Sequence, residues 1–142
     1  MRVLLLDDIE AILKELGLSP LREEDLLVLL IGEGGREVVI YIIAEEERKV
    51  AYVLASAYPP IKAEGKELDI LRASWELVDR GVPCKVGVDK DSVVVEVDLD
   101  ECHIKKDVLL ESIYFAAEGM LTIADKLREG ESPEAAEGES DT

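Results

Sequence analysis

Three consecutive strand-like segments constrain the fold of this chain more than any other feature. They read LLVLLI, EVVIYII and KVAYVLA at residues 26–31, 37–43 and 49–55. β-Branched and other apolar residues dominate all three, as is typical of strands that are largely buried. The connections GEGGR and AEEER have hairpin length, and glycine accommodates positive φ. The pattern predicts a meander of three antiparallel strands.

The second and third segments predict a sheet with two apolar faces. If residues 44–49 form the turn, Ile43 pairs with Val50, and Tyr41 faces Tyr52. One face then consists of Val39, Tyr41, Ile43, Val50, Tyr52 and Leu54. The other face consists of Val38, Ile40, Ile42, Ala51, Val53 and Ala55.

A small antiparallel sheet usually keeps one face in water, so a second apolar face requires a cover. Three covers are open at this point: a helix of the same chain, a twin subunit or a protein partner. Because alanine lets a helix approach closely, we assign the Ala51 and Ala55 side to the chain's own helices. The polar tips of Tyr41 and Tyr52 suit an interface, so we predict a partner or dimer contact on their side.

Helical periodicity predicts three helices around this sheet. The first, in DDIEAILKELGL, ends at Gly17, and Pro20 follows; residues 3–6 either begin it or form a short strand. The second carries an apolar stripe of Leu68, Leu71, Trp75 and Val78, with Ile70, Ser74 and Leu77 beside it. The third, at residues 107–129, carries one stripe of Leu109, Ile113, Ala116, Met120, Ala124 and Leu127, and a second of Leu110, Tyr114, Ala117 and Leu121.

A second hairpin separates the last two helices. VPCKVGVDKDSVVVEVDLD alternates apolar and polar residues around the turn DKDS at 89–92. The predicted fold class is therefore α+β, with an antiparallel sheet packed with helices in the order α-β-β-β-α-β-β-α. Residues 1–129 form one domain. Residues 130–142 carry five acids, no bases and no large apolar residue, which predicts a disordered acidic tail.

Charge and composition limit the partners and the habitat. The formal net charge is −17, which disfavours nucleic acid and anionic membranes. No membrane span or signal peptide is recognisable, so we expect a cytoplasmic protein. The chain has no Asn or Gln and is rich in Glu, Lys and Arg, which predicts a thermophilic prokaryotic source. Its two cysteines are expected to be free thiols, although their redox state is left open.

Two short motifs invite a chemical reading, and in both we favour the structural one. VDLDECH at 97–103 places the only histidine, His103, beside Cys102 and three carboxylates. Its spacing fits neither a zinc site nor a calcium loop, so it predicts a strand end and a charged turn before the last helix. GEGGR lacks the spacing of a phosphate-binding loop and joins two strands, which predicts a plain hairpin. No catalytic residue and no cofactor is predicted.

The order of elements resembles the type III secretion chaperone-like fold and, within it, the bacterial YbjN-type family of sensory transduction regulators. The resemblance is strongest in the second half, where a helix ends near DRGVP, strands CKVGVD and SVVVEV flank KD, and a long helix follows. The opening helix IEAILKELGL is also similar, and the shared order spans residues 4–128. The resemblance implies a homodimer or protein-binding module whose sheet or first helix receives an extended partner segment.

Three functional hypotheses follow. The first is a non-enzymatic protein- or peptide-binding module, homodimeric, with a chaperone-like or regulatory role and a basic partner. The second is a small metal-dependent enzyme or metal sensor that uses Asp98, Asp100, Cys102 and His103. The third is a ligand-binding domain with a pocket between the sheet and the last helix.

Overall fold

Six antiparallel strands form one sheet in the order β1-β2-β3-β4-β6-β5 in the computed structural model, which describes residues 4–129. The strands are β1 (Leu21–Glu23), β2 (Leu26–Ile31), β3 (Val38–Glu45), β4 (Val50–Ala57), β5 (Lys85–Asp89) and β6 (Ser92–Asp100). The helices are α1 (Leu5–Glu15), α2 (Glu67–Asp79) and α3 (Lys106–Glu129), with a 3-10 turn at Glu101–His103. The predicted acidic tail lies outside the described residues.

The predicted α+β class is confirmed, with one strand more than expected. The chain runs α-β-β-β-β-α-β-β-α, because β1 precedes the three predicted strands and pairs with β2. β1 reads LRE, too short and too polar to show strand periodicity. Of the two alternatives for residues 3–6, the helix is observed at Leu5 and Leu6, where α1 begins, whereas Val3 lies outside the described residues.

The predicted pairing of Ile43 with Val50 is wrong by two residues. Ile43 pairs with Tyr52, and Val50 pairs with Glu45, because β3 continues to Glu45 and the turn is shorter than expected. A slip of two residues keeps every side chain on its predicted face, since strand side chains alternate with a period of two.

Helices α1 and α3 pack on one face of the sheet, and α2 packs on α3. α3 contacts β3, β4 and β6, and α1 contacts β2 and β3. On the sheet, Ile40, Ile42, Ala51, Val53 and Ala55 are completely buried beneath them. The predicted first stripe of α3 is buried throughout: Leu109, Ile113, Ala116, Met120, Ala124 and Leu127.

The second helix presents the opposite side from the one its stripe suggests. Ile70, Ala73 and Leu77 face α3 and are buried. The predicted stripe points outward, and its four members are all exposed: Leu68, Leu71, Trp75 and Val78.

Within residues 4–129, no helix is long and apolar enough to span a bilayer.

Polar contacts fix the helices at their ends. Glu46, in the β3–β4 turn, accepts a hydrogen bond of 2.6 Å from the backbone N–H of Leu5 and so caps α1. Arg22 on β1 bonds Asp7 at 3.0 Å and Glu10 at 2.9 Å, which ties the edge strand to α1.

The β5–β6 turn has φ of 49° at Lys90 and 65° at Asp91, the left-handed pair of a tight hairpin.

Candidate functional site

The face of the sheet opposite the helices is open among the described residues, and we call it the open face. All six residues predicted for a partner or dimer contact lie on it: Val39, Tyr41, Ile43, Val50, Tyr52 and Leu54. Tyr41 and Ile43 each expose 36% of their surface. The remaining four are half-buried by their neighbours in the sheet. The structure therefore brings the predicted residues together as one continuous apolar surface.

Neighbouring strands extend this surface beyond the predicted set. Val28 pairs with Tyr41, Leu26 with Ile43 and Leu30 with Val39, so alternate residues of β2 share the open face. Leu21 on β1 pairs with Val28 and is exposed. These residues were not predicted, although the alternation in LLVLLI already sorts β2 into two sets. What the sequence lacks is the pairing that places one of those sets beside Tyr41.

An acidic margin bounds the open face on the β6 side. Glu96 pairs with Leu54, and Asp98 pairs with Tyr52. Lys85 on β5 bonds both carboxylates, with its Nζ 3.2 Å from Glu96 Oε2 and in close contact with Asp98 Oδ2. Burial raises the pKa of Glu96, and its hydrogen bond with Asp98 raises that pKa further. The apolar surface is therefore bordered on this side by two carboxylates and one lysine.

One tyrosine tip is held in place at the end of the β3–β4 hairpin. Tyr52 donates a hydrogen bond of 2.5 Å from Oη to Oε2 of Glu45. This hydrogen bond, together with desolvation, raises the pKa of Tyr52. Tyr52 therefore presents an apolar ring edge with its hydroxyl already satisfied, whereas no described contact engages the hydroxyl of Tyr41 in this way.

The stretch VDLDECH forms the strand end and charged turn that its spacing predicts. β6 ends at Asp100, and the 3-10 turn Glu101–His103 follows. Asp100 Oδ1 accepts a hydrogen bond from the backbone N–H of His103 at 3.1 Å and lies 2.6 Å from its Nδ1. Cys102 is exposed, and both cysteines are free. Asp98 is engaged by Lys85 on the open face.

The metal hypothesis gains no support from this geometry. Among residues 4–129, no group of three or more His, Cys, Asp or Glu side chains is arranged to hold a metal ion.

The GEGGR segment joins β2 to β3, and its Gly32 has a φ of 100°. A Cβ at Gly32 would collide with the carbonyl oxygen of Arg36, so glycine is required there by the turn itself.

Two further apolar surfaces lie on the helical side. The first is the exposed α2 stripe, defined above, in which Trp75 exposes 71% of its surface. The second is a groove of about 570 Å³ between α3 and the end of β2, which we call the α3 groove. Its lining includes Ile31, Leu110, Tyr114, Ala117 and Leu121, so the second stripe of α3 forms its floor.

Comparison with known proteins identifies the fold. No protein-family model and no curated protein matches the chain. A chain in the crystal structure of the ExsC–ExsE complex is similar, with 17% identity and a TM-score of 0.61 over 83% of this chain and 92% of that one. A chain in the HopA1–SchA chaperone–effector complex is similar with 12% identity and a TM-score of 0.58, over 82% of this chain and 87% of that one. The expected chaperone-like fold is therefore confirmed.

Proposed function

We propose that this chain is a non-enzymatic, homodimeric module that binds a protein or peptide segment in a chaperone-like or regulatory role. The observation that carries the proposal is the open face, an apolar sheet surface that the helices of residues 4–129 leave uncovered. Burial of such a surface supplies affinity without any directed chemistry. The two similar structures support the proposal, because each is a complex between two proteins and one is a chaperone–effector complex.

The open face is the surface we assign to the partner segment. Tyr41 and Ile43 lie side by side with the half-buried Leu54, and aromatic residues of this kind are enriched at interfaces. Glu96 and Asp98 border them on β6. A segment with apolar side chains flanked by lysine or arginine complements this arrangement, and the net charge of −17 favours its approach.

The α2 stripe is the surface we assign to the homodimer. Leu68, Leu71, Trp75 and Val78 follow one another at intervals of three, four and three residues, the spacing with which two helices pack along a seam. All four side chains are more than half exposed, and the helix is otherwise tied to α3 through Leu77 and the ion pair Arg80–Glu118. A second copy of the same helix provides a matching surface.

Three narrower parts of the proposal, which are the family, the location and the source, rest on the sequence. Membership of the YbjN-type family rests on the element order and the second-half pattern. A cytoplasmic location and a thermophilic source rest on composition. The metal-dependent alternative would need a third ligand near Asp100 and His103, and the described residues supply none.

Binding to the open face is tested with single charge substitutions. We expect Tyr41→Lys and Ile43→Lys to weaken the complex with a co-purified or selected peptide by about tenfold or more. Val88→Lys is the matched control, since Val88 is an exposed apolar strand residue outside this surface. Equal loss in all three variants would show that added positive charge, and not the open face, controls binding.

The dimer is tested by light scattering and by the emission of Trp75, the only tryptophan. Dilution should red-shift the emission as the dimer dissociates, and Leu71→Glu should give a monomer at all concentrations. Tyr41→Glu should leave the mass unchanged. A monomer in the wild type, or a dimer that survives Leu71→Glu and is lost in Tyr41→Glu, would overturn the assignment to α2.

A further inference from the structure

Strand β5 forms one edge of the sheet, and its outer side pairs with no strand among residues 4–129. Val88 pairs with Val93 without hydrogen bonds between them, because the N–H of Val93 donates to the carbonyl of Ile61 at 2.9 Å, on the side away from β5. The same alternation applies to Val86, two residues earlier. The N–H and C=O groups of Val86 and Val88 therefore point outward, where an added strand could pair with them.

The side chains of β5 leave apolar surface uncovered at this edge. Val88 exposes 56% of its surface, although it lies on the helical side and pairs with the completely buried Val93. Val86 shares that side and is half-buried. Lys85 and Asp89 lie on the other side, that of the open face, at the two ends of the strand. β5 therefore has a positive charge at its beginning, a negative charge at its end and two valines between them.

The sequence KVGVD of β5 is self-complementary when two copies run antiparallel. A two-fold axis through Gly87 places Lys85 of each copy opposite Asp89 of the other, and Val86 opposite Val88. Both valine pairs then exchange hydrogen bonds through their outward groups. Side chains directly opposite one another have Cβ atoms about 4.5–5.5 Å apart, close enough for an ion pair at each end. Any shift of the axis separates Lys85 from Asp89, so the charges favour this register.

Both charged ends can accept a further partner. Lys85 Nζ lies 3.2 Å from Glu96 Oε2 and also contacts Asp98, so one of its three N–H groups remains for another carboxylate. Asp89 is exposed, and no ion pair within residues 4–129 engages it. Two copies that each carry a net charge of −17 repel one another, and ion pairs across the axis offset part of this repulsion.

The α2 stripe lies on the same flank of the molecule as β5. A Cβ at Gly119 would meet both Cys84, directly before β5, and Leu77 of α2, so α2 and the start of β5 adjoin one flank of α3. The α2 stripe lies on the side of α2 away from Leu77. One two-fold axis can therefore bring together the α2 stripes and the β5 edges of two copies.

We infer that two copies of this chain join edge to edge through β5, so that their two sheets become one continuous sheet. The inference rests on the proposed homodimer and adds a second contact to it. Val86 and Val88 form the shared ladder, and Lys85 and Asp89 set its register. Because paired residues lie on the same side of a sheet, the open faces of the two copies then form one longer surface for a partner segment.

The test exchanges the two charges in the full chain and follows dimerisation by light scattering over a dilution series at low salt. Asp89→Lys places lysine opposite lysine, and Lys85→Asp places aspartate opposite aspartate, so each variant alone should dimerise at least about tenfold more weakly than the wild type. An equimolar mixture of the two variants pairs aspartate with lysine at both ends and should recover dimers within about threefold of the wild-type affinity. Glu47→Lys makes the same change of charge as Asp89→Lys in the β3–β4 turn and should stay within about twofold.

A backbone substitution tests the shared ladder. Val88→Pro removes an N–H that β6 does not use, so the monomer should keep its fold, as circular dichroism reports, while dimerisation weakens at least about tenfold. Val88→Thr keeps the donor and should stay within about threefold of the wild type.

Unchanged dimerisation in Asp89→Lys or Val88→Pro, or a mixture of the charge variants that stays monomeric, would overturn the inference. If Leu71→Glu still gives a monomer in that case, the proposed homodimer stands on α2 alone. A wild type that is monomeric at every concentration would overturn both the inference and the proposed homodimer.

Discussion

Gly119 on α3 leaves the space that the side chain of Cys84 occupies. A Cβ built on Gly119 would lie 3.1 Å from Cys84 Sγ and 3.0 Å from Val95 Cγ1. Both distances are shorter than ordinary van der Waals contact. The glycine therefore lets α3 approach Val95 of β6 and Cys84, just before β5, so that the β5–β6 hairpin packs closely against α3.

We predict that Gly119→Ala lowers the free energy of unfolding by about 1 kcal/mol, because crowding outweighs the gain of about 1 kcal/mol in helix propensity. In a Cys84→Ala background, the same substitution should be less harmful, with a coupling of about 1 kcal/mol between the two sites. Chemical denaturation of the four proteins in this cycle measures it. Strictly additive effects would show that the two residues do not compete for space.

The two faces of β3 should respond differently to the same substitution. Ile40 is completely buried beneath the helices, whereas Ile43 lies on the open face with 36% of its surface exposed. We expect Ile40→Ala to lower the free energy of unfolding by about 2–5 kcal/mol, and Ile43→Ala by about 1 kcal/mol or less. Urea titration gives both values, and similar losses would mean that the open face is covered in solution.

The two cysteines should differ in reactivity. Burial raises the pKa of the Cys84 thiol, and the nearby Glu118 carboxylate raises it further, whereas Cys102 is exposed. Less thiolate is therefore present at Cys84 near neutral pH, and iodoacetamide should modify Cys102 at least about tenfold faster. Cys84→Ser and Cys102→Ser report each rate separately, and denaturant should make the two rates equal.

The ionisation of Tyr52 should report on its hydrogen bond to Glu45. The pKa of Tyr52 is raised above its usual value, first by this hydrogen bond. Its contribution to stability is thus fully present below about pH 10 and is lost as the pH rises through the folded-state pKa. Tyrosinate absorbance, compared with Tyr52→Phe, should show late ionisation, and Glu45→Gln should move it toward pH 10. An unchanged titration in Glu45→Gln would remove Glu45 as the cause.

The amide-free composition predicts high thermal stability. We expect a melting temperature above about 70 °C, beyond the range of about 45–65 °C in which mesophilic domains cluster. Arg22 joins Asp7 and Glu10, and Lys14 lies 3.3 Å from Glu10, which makes a network of four charges. Arg22→Leu should lower the melting temperature by about 2–5 °C. Calorimetry that places the wild type among mesophilic domains would remove the inference of a thermophilic source.

Local patterns predicted most of the elements. Strand β2 has the predicted bounds of 26–31, and the DKDS turn lies where its aspartates place it, because short-range alternation and turn chemistry decide both. Strand β1 was missed because three residues carry no periodicity. The register of β3 against β4 was wrong by two residues, since the sequence of AEEER does not specify how many of its residues continue the strand.

The sequence by itself determined which residues share a side of each strand and helix, because the periods of two and 3.6 are properties of the local backbone. It did not determine which side is covered. The stripe of Leu68, Leu71, Trp75 and Val78 is the more apolar side of α2, yet α3 packs against Ile70, Ala73 and Leu77. Tertiary structure decided this, and it also decided that α1 and α3 cover one face of the sheet while α2 packs on α3. The physical reason is that burial depends on contacts between distant segments that no local pattern encodes.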